Sequence, residues 1–370
     1  MNDYKKIVEE LLNYADIRVN GDRPWDIQVH NEQLYSRVLK DGSIGFGESY
    51  MDGWWDCGQL DELFHRIIRV DLESKIKKKF RVLYGVLVAR LSNPETKSRA
   101  FREVARHYNV GNDLFRCMLD KRMVYSCGYW KNAKNLEEAQ EAKLDLVCKK
   151  VGMKPGMKLL DIGCGWGSLA KYAAERYGAN VVGITVSKEQ AEFARESCKG
   201  LPVEIRLQDY RDVEGKFDAI VSLGMFEHVG PKNYRRFMEI VHGCLDDEGV
   251  FLLHTIVRNV AGETDPWIKK YIFPVGVTPT LEQIATSAER QFVIEDIHNF
   301  GEYYDKTLMA WFRNFQRSWP VLKNKYDNVF KRMWDYYMCA SAGCYRARDS
   351  QVLQIVMTKT GRGQPNCRFS

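Results

Sequence analysis

The chain has 370 residues, 45% hydrophobic and 28% charged, which is apolar enough for one large or two smaller folded domains and excludes a disordered polymer. No apolar run is long enough to cross a bilayer, and the N-terminus lacks a signal-peptide pattern, so a cytoplasmic location is expected. The ten cysteines are scattered singly, without a CxxC pair or zinc-type spacing; they read as free thiols, and no metal site is expected.

In chain order, MNDYKKIVEELLNYA has the spacing of an amphipathic charged helix. Residues 1 to about 70 read as short helices and turns that end in the aromatic, glycine-rich SIGFGESYMDGWWDCGQLDELF. They form a small, mainly helical N-terminal domain, taken as 1–73. The formal charge of +6 bunches in SKIKKKFRVLYGVLVAR (74–90), where lysines precede an apolar run. That pattern suits an anionic membrane surface or a nucleic acid, and an ordinary solvated helix face equally well. Pro94 breaks any helix in LSNPETKSRA, so 74–100 is assigned as basic helix and linker, and 101–370 as a second, larger domain.

From Lys154 strands and helices alternate, as in a parallel sheet covered on both faces. MKLLDIG, NVVGITVS, VEIRLQ, FDAIVSLG and GVFLLHTIV read as five strands. SLAKYAAERYG and KEQAEFARESCKG read as glycine-closed helices, and YRRFMEIVHGCL as a further helix. VLQIVMTK (352–359) reads as the last strand, after a helical, aromatic-rich insertion over about 305–345. The fold class is α/β, a doubly wound, mostly parallel seven-stranded Rossmann-like sheet with that insertion.

At the first strand-to-helix turn stands LDIGCGWG, with Asp161, Gly163, Cys164, Gly165 and Gly167. Glycines there let the backbone turn sharply and approach a ligand closely, so the loop points to a nucleoside-like ligand. Dinucleotide enzymes space their glycines G-x-G-x-x-G to seat a pyrophosphate; here the spacing is D-x-G-x-G-x-G and an acid leads, which welcomes a cation and repels a phosphate. The arrangement resembles motif I of the class I S-adenosylmethionine-dependent methyltransferases, whose cofactor ends in a cationic amino-acid tail. The second strand lacks the acid that commonly holds the ribose, which leaves Thr185, Ser187 or Gln190 for that contact. After the third strand, Asp209 and Tyr210 stand where an adenine edge and face are commonly met.

Further segments pair proton-competent groups with aromatics: EVARHYNVGNDLF, YSCGYW (125–130), GMFEHVG, FLLHTI and HNFGEYYDKTLMAWF. Glu227 follows the fourth strand and His254 lies in the fifth, where a doubly wound sheet opens its ligand crevice. Taken alone, His254 among leucines reads as a core histidine and Cys127 as a small buried residue, not a nucleophile. Together with GESYMDGWW, LDIGCGWG, GMFEHVGPKNY, DPWIKKYIFP and TLMAWF, these segments resemble the cyclopropane-fatty-acyl-phospholipid synthases, within the cyclopropane fatty acid synthase and mycolic acid cyclopropane synthase family, over nearly the whole chain.

The resemblance implies methylenation, by S-adenosylmethionine, of a cis double bond in a phospholipid acyl chain, through a carbocation deprotonated by a bound bicarbonate. It implies that Cys127, Glu227, His254, Tyr304 and the backbone at Ile256 hold that ion. Tyr125, Ser126, the glycine loop, Thr185 and Gln190 would touch the cofactor. The basic run at 75–81 and the aromatic YMDGWW point to lipid-surface contact or dimer formation by the N-terminal domain, so the expected partners are a phospholipid bilayer surface, preferably anionic, at the inner face of the membrane and a second copy in a homodimer, without nucleic acid. Two other readings stay open: a fatty-acyl C-methyltransferase that ends in a methyl- or methylene-branched chain, and a non-catalytic lipid-binding protein on a methyltransferase fold.

Overall fold

The computed structural model describes residues 2–70 and 111–369; the basic stretch at 74–90 and its reading as a membrane-facing helix lie outside the described residues, as do Pro94 and residues 103–110. The chain opens with α1 (Asn2–Tyr14), whose Val8, Leu11 and Leu12 recur at helical spacing on one buried face. β1 (Gln28–Val29) pairs antiparallel with β2 (Trp55–Asp56) across α2 (Gln33–Met51), and α3 (Leu60–Arg69) follows. α4 (Asn112–Met118) and α5 (Leu136–Lys150) lead into the alternating region. That region runs β3 (Lys158–Ile162), α6 (Ser168–Tyr177), β4 (Asn180–Thr185), α7 (Lys188–Ser197), β5 (Val203–Leu207), β6 (Phe217–Leu223), α8 (Tyr234–Cys244) and β7 (Leu245–Arg258). The chain ends with α9 (Pro266–Tyr271), α10 (Leu281–Ala288), β8 (Val293–Asn299), α11 (Gly301–Leu322), α12 (Asn328–Arg346) and β9 (Ser350–Thr358).

Seven strands form one sheet in the order β5-β4-β3-β6-β7-β9-β8. The pairs β5–β4, β4–β3, β3–β6 and β6–β7 are parallel, and β8 runs antiparallel to β9. This is the doubly wound, mostly parallel sheet expected of a class I methyltransferase. The order turns back at β3, so the crevice at the carboxyl ends of β3, β4 and β6 is the place for a ligand. Apolar residues on both faces pack the sheet: Leu159, Ala173 and Val221 belong to one buried cluster, and Leu160, Phe237 and Phe251 to another.

Two strands depart from the sequence reading. β7 begins at Leu245, four residues before the expected Gly249, because Leu245 pairs with Phe217 across a register shift. β8 escaped the reading: its inward position is taken by buried Asp296, while Val293 and Ile297 are 42% and 40% exposed, so its alternation runs opposite to that of a half-buried strand.

The contacts divide the chain into two units: one takes 264–274 and 304–350 together with the N-terminal helices, and the other holds the sheet. The linear division at 73 and 100 therefore does not coincide with the contacts. The reason is packing within the first unit, where Tyr336 of α12 packs on Trp267 with ring centroids 4.3 Å apart at a tilt of 48° and lies edge-on to Phe64 of α3 at 4.8 Å. Arg346 at the end of α12 joins the same helices through Asp61, at 2.7 Å, and Asp305, at 2.9 Å. Among the described residues no helix is long and apolar enough to cross a membrane, and no acidic or thiol cluster could hold a metal ion.

Candidate active site

The turn from β3 into α6 lines a cleft of about 1110 Å3, open mouth included, in the sheet-bearing unit. Asp161, Gly163, Cys164 and Gly165 all face it. Gly165 has φ of 56°, and a Cβ there would meet nothing within 4 Å, so it is an open cradle that any larger residue would fill. Gly167 is not among the lining residues. With φ of 81° it stands at the N-cap of α6, and a Cβ would sit 3.0 Å from the Cβ of Ala194, so this glycine serves close packing of α6 on α7.

Asp161 is wholly buried and, by desolvation, its carboxyl is pushed up to about 7, with the Lys143 ammonium pulling it back. Such an acid suits a cationic ligand group and would repel a phosphate. Thr185 and Gln190 are buried at the end of β4 and face the cleft. Thr185 Oγ1 donates to Gln190 Oε1 at 3.0 Å, which commits the amide oxygen and leaves the NH2 end to serve a ligand. Ser187 caps α7 through the Gln190 amide. Asp209 and Tyr210 also line the cleft, but Asp209 is already gripped by the guanidinium of Arg211, at 2.8 Å through Nε and again through Nη2.

Tyr125 and Ser126 form another wall. The Tyr125 ring lies 5.2 Å from Phe115 and 6.5 Å from Trp166, so three aromatics back the glycine loop. Helix α5 holds this wall in place. Gln140 Nε2 donates to the Ser126 carbonyl at 2.8 Å, Lys143 Nζ donates to Ser126 Oγ at 2.9 Å, and Tyr129 N–H donates to the Ala139 carbonyl at 2.9 Å. Cys127 is fully buried beside Gly128, whose carbonyl its thiol approaches at 3.4 Å. All ten cysteines are free.

Beyond the cleft, β6 and β7 bring Glu227 and His254 to one place. Leu223 pairs with His254, and the Gly224 amide donates to the His254 carbonyl at 2.8 Å as the chain leaves β6. The short 3-10 turn Phe226–His228 then swings Glu227 back, and its Oε1 accepts from the Ile256 amide at 2.7 Å. Burial pushes the Glu227 carboxyl up to about 7, opposed by that amide. His254 is held neutral, its basicity lowered by burial and then by Lys143, Lys150 and His298. Among the described residues neither Glu227 Oε2 nor His254 Nδ1 has a hydrogen-bond partner, although both are buried. An aromatic run ties the wall to this pair: Tyr129 packs on Phe300 at 5.1 Å, and Phe300 lies edge-on to His254 at 5.7 Å.

Thus Cys127, Glu227, His254 and Ile256 fall in one unit, with the cleft. Tyr304 belongs to the other unit, where its ring lies 4.7 Å from Tyr345 and 5.9 Å from Trp311. Sequence reasoning missed Gln140 and Lys143. The signal was available: both occupy the face of α5 that carries Leu136, Ala139, Leu144 and Val147, where polar residues are out of place unless they hold something.

Residues 95–355 match the family described as mycolic acid cyclopropane synthetase. The chain is 52% identical over 359 residues, 97% of its own length and 94% of the relative's, to a cyclopropane-fatty-acyl-phospholipid synthase of Escherichia coli. Among solved structures it resembles the cyclopropane synthase MmaA2 of Mycobacterium tuberculosis, with a TM-score of 0.67 and 32% identity over 70% of this chain and 98% of that one. It also resembles the mycolic acid cyclopropane synthase CmaA1 complexed with SAH and CTAB, with a TM-score of 0.65 at the same identity and coverages. With the family match over residues 95–355 and 52% identity over nearly its whole length, the chain belongs to the mycolic acid cyclopropane synthetase family of S-adenosylmethionine-dependent methyltransferases.

Proposed function

We propose that this chain transfers a one-carbon unit from S-adenosylmethionine to the cis double bond of an unsaturated acyl chain in a membrane phospholipid and closes it to a cyclopropane. One observation carries the reading: a cleft floored by Asp161 lies in the same unit as buried Glu227, in the turn after β6, and buried His254, on the neighbouring strand β7. The donor would lie along Asp161, Gly163, Gly165 and Gln190 with its cationic end toward the acid, and it supplies the electrophilic methyl.

An isolated alkene is a weak nucleophile; its attack leaves positive charge on the adjoining carbon, and a proton must leave the new methyl before the ring can close. Water would capture that charge, so the site must be dry. Burial of Cys127, Phe300 and His254 provides this, and the faces of Tyr125, Tyr129 and Tyr304 offer cation–π attraction of about 0.5–2 kcal/mol each without attacking. Cys127, fully buried next to the wall residues Tyr125 and Ser126, is taken as part of the dry surroundings rather than as a nucleophile.

A bicarbonate ion, held by Cys127, Glu227, His254, Tyr304 and the backbone at Ile256, would supply the base for the departing proton. The chain's chemistry fits an anion there. Glu227 Oε2 and His254 Nδ1 are buried polar atoms still to be satisfied, and Lys143 and Lys150 surround His254 with positive potential. Glu227, with its carboxyl near neutrality, can donate in its protonated form.

Partners and location belong to the same proposal: peripheral binding to an anionic phospholipid surface at the inner face of the membrane, and a homodimer. The clustered Lys75, Lys77, Lys78 and Lys79 support the lipid contact. Changing all four to Gln should weaken co-sedimentation with anionic vesicles, and unchanged binding would remove them from the lipid surface. The reaction is tested by incubating the protein with S-adenosylmethionine and unsaturated phospholipid vesicles, then analysing the acyl chains. A gain of one CH2 with loss of the double bond and a ring in the product is expected; a branched chain without a ring would favour the C-methyltransferase, and unaltered chains a lipid-binding protein.

A further inference from the structure

Lys143 is a lysine with 1% of its surface exposed, on the inner face of α5, and it lines the cleft. A buried ammonium is costly unless it is paired, and a cation beside the seat of a cationic donor is doubly unfavourable unless it has another task. Its neighbours define that task. The Nζ donates to Ser126 Oγ at 2.9 Å, while one turn earlier Gln140 Nε2 holds the Ser126 carbonyl at 2.8 Å. From the other side Asp120 accepts from the Val124 amide at 2.8 Å and the Arg122 amide at 3.0 Å. The wall segment 122–126 is thus clamped from two elements, with Lys143 the charged member of the clamp.

Among the described residues, the same ammonium is the charged side chain that acts on Asp161 electrostatically. Burial lowers it to about 8, and Asp120, Cys127 and Asp161 act in the opposite direction. Asp161 also faces the thiols of Cys148, Cys164 and Cys198, all of which burial pushes up, so they stay neutral and do not compete. His254 feels Lys143 from β7 and is itself uncharged.

We propose that Lys143 is a positioning residue for the methyl donor: through Ser126 it fixes the 122–126 wall of the cleft, and it supplies the buried positive charge that keeps Asp161 available to the donor's ammonium. This rests on the donor reading given above. The two duties are linked, because the hydrogen bond to Ser126 holds the ammonium where it can act on Asp161. Without Lys143 the carboxyl would favour its neutral form still more strongly, and a neutral acid has little to offer a cation.

The test is calorimetric titration of the full-length protein with S-adenosylhomocysteine, which keeps the amino-acid tail, from about pH 6 to 9. Wild-type affinity should fall as pH drops through about 7, the range in which Asp161 takes up its proton. In Lys143→Met the midpoint should move up by about one unit, which weakens binding about fivefold at pH 7 and close to tenfold near pH 6. A folded variant with an unmoved or lowered midpoint would overturn the inference, since loosened packing, by admitting water to Asp161, would lower the midpoint rather than raise it. Should that variant fail to fold, Ser126→Ala keeps the lysine but removes its acceptor; several-fold weaker binding is expected, and wild-type affinity would overturn the proposal. A wild-type protein that does not bind the probe at all would instead refute the donor reading.

Discussion

Glu227 and the Ile256 amide are joined by a 2.7 Å hydrogen bond that ties the turn after β6 to strand β7 and fixes which carboxyl oxygen remains available. Oε1 is committed to the backbone, and Oε2 is left buried two residues along the strand from His254. Truncation to Glu227→Ala removes the carboxyl proposed to hold the anion but leaves the glycine turn untouched. Turnover should fall by roughly 10²–10⁴-fold, while S-adenosylhomocysteine binding changes by less than about threefold. Undiminished turnover would take Glu227 out of the chemistry.

The same carboxyl makes a prediction about stability. Its folded-state value of about 7 lies above its ordinary 4.5, so the fold favours the neutral form. The native state therefore holds a proton that the unfolded chain has released, and this contribution, full at pH below about 4.5, is lost as pH rises through about 7. The penalty above that range is on the order of 3 kcal/mol or less. Glu227→Gln keeps an oxygen for the Ile256 amide without a titrating proton. It should melt above wild type at pH 8 and level with it near pH 5, while turning over poorly. A difference in melting that is the same at both pH values would show that Glu227 ionises normally.

Gly165 and Gly167 share a left-handed backbone but not a function, and the same substitution should separate them. Alanine in that conformation costs about 1–2 kcal/mol at either place. At Gly167 the new methyl would also crowd Ala194 at 3.0 Å, whereas at Gly165 it would enter open space in the cleft. Gly167→Ala should therefore lower the melting temperature more, and Gly165→Ala should weaken donor binding more. Equal donor affinity in the two variants would mean that the cradle at Gly165 is not where the donor lies.

What could be read beforehand, and what could not, follows from the range of the interactions. The turn at Asp161–Gly167 was legible because acid, glycines, preceding strand and following helix are contiguous and each is locally constrained. Glu227 and His254 were legible once the strands before and around them were placed, since parallel sheets deliver their carboxyl ends to one crevice. Strand β8 was not, because a buried Asp296 replaces the apolar residue expected inside; Arg368 and Lys150 satisfy it from distant parts of the chain. Nor was the packing of 304–350 with the N-terminal helices, which depends on Arg346 reaching Asp61 and on Tyr336 reaching Phe64 across nearly the full sequence. Lys143 was hidden differently: in sequence a lysine on a helix is ordinary, and only burial makes it unusual.

Tyr304 has been assigned two duties, an aromatic face for positive charge and a hydroxyl for an anion, and one substitution distinguishes them. Its ring is seated by neighbours that do not need the oxygen: Tyr345 lies 4.7 Å away at 38° and Trp311 edge-on at 5.9 Å. Tyr304→Phe keeps those ring contacts and the quadrupole, and the melting temperature serves as the control that the fold is intact. If the hydroxyl helps to hold the anion, turnover should drop roughly tenfold or more while the share of branched or hydrated side products, which reports on protection of the cation, stays constant. Wild-type turnover in a normally melting Tyr304→Phe would leave only the aromatic face. A rise in hydrated product without loss of total methyl transfer would show instead that the hydroxyl guards the cation from water rather than holding the base.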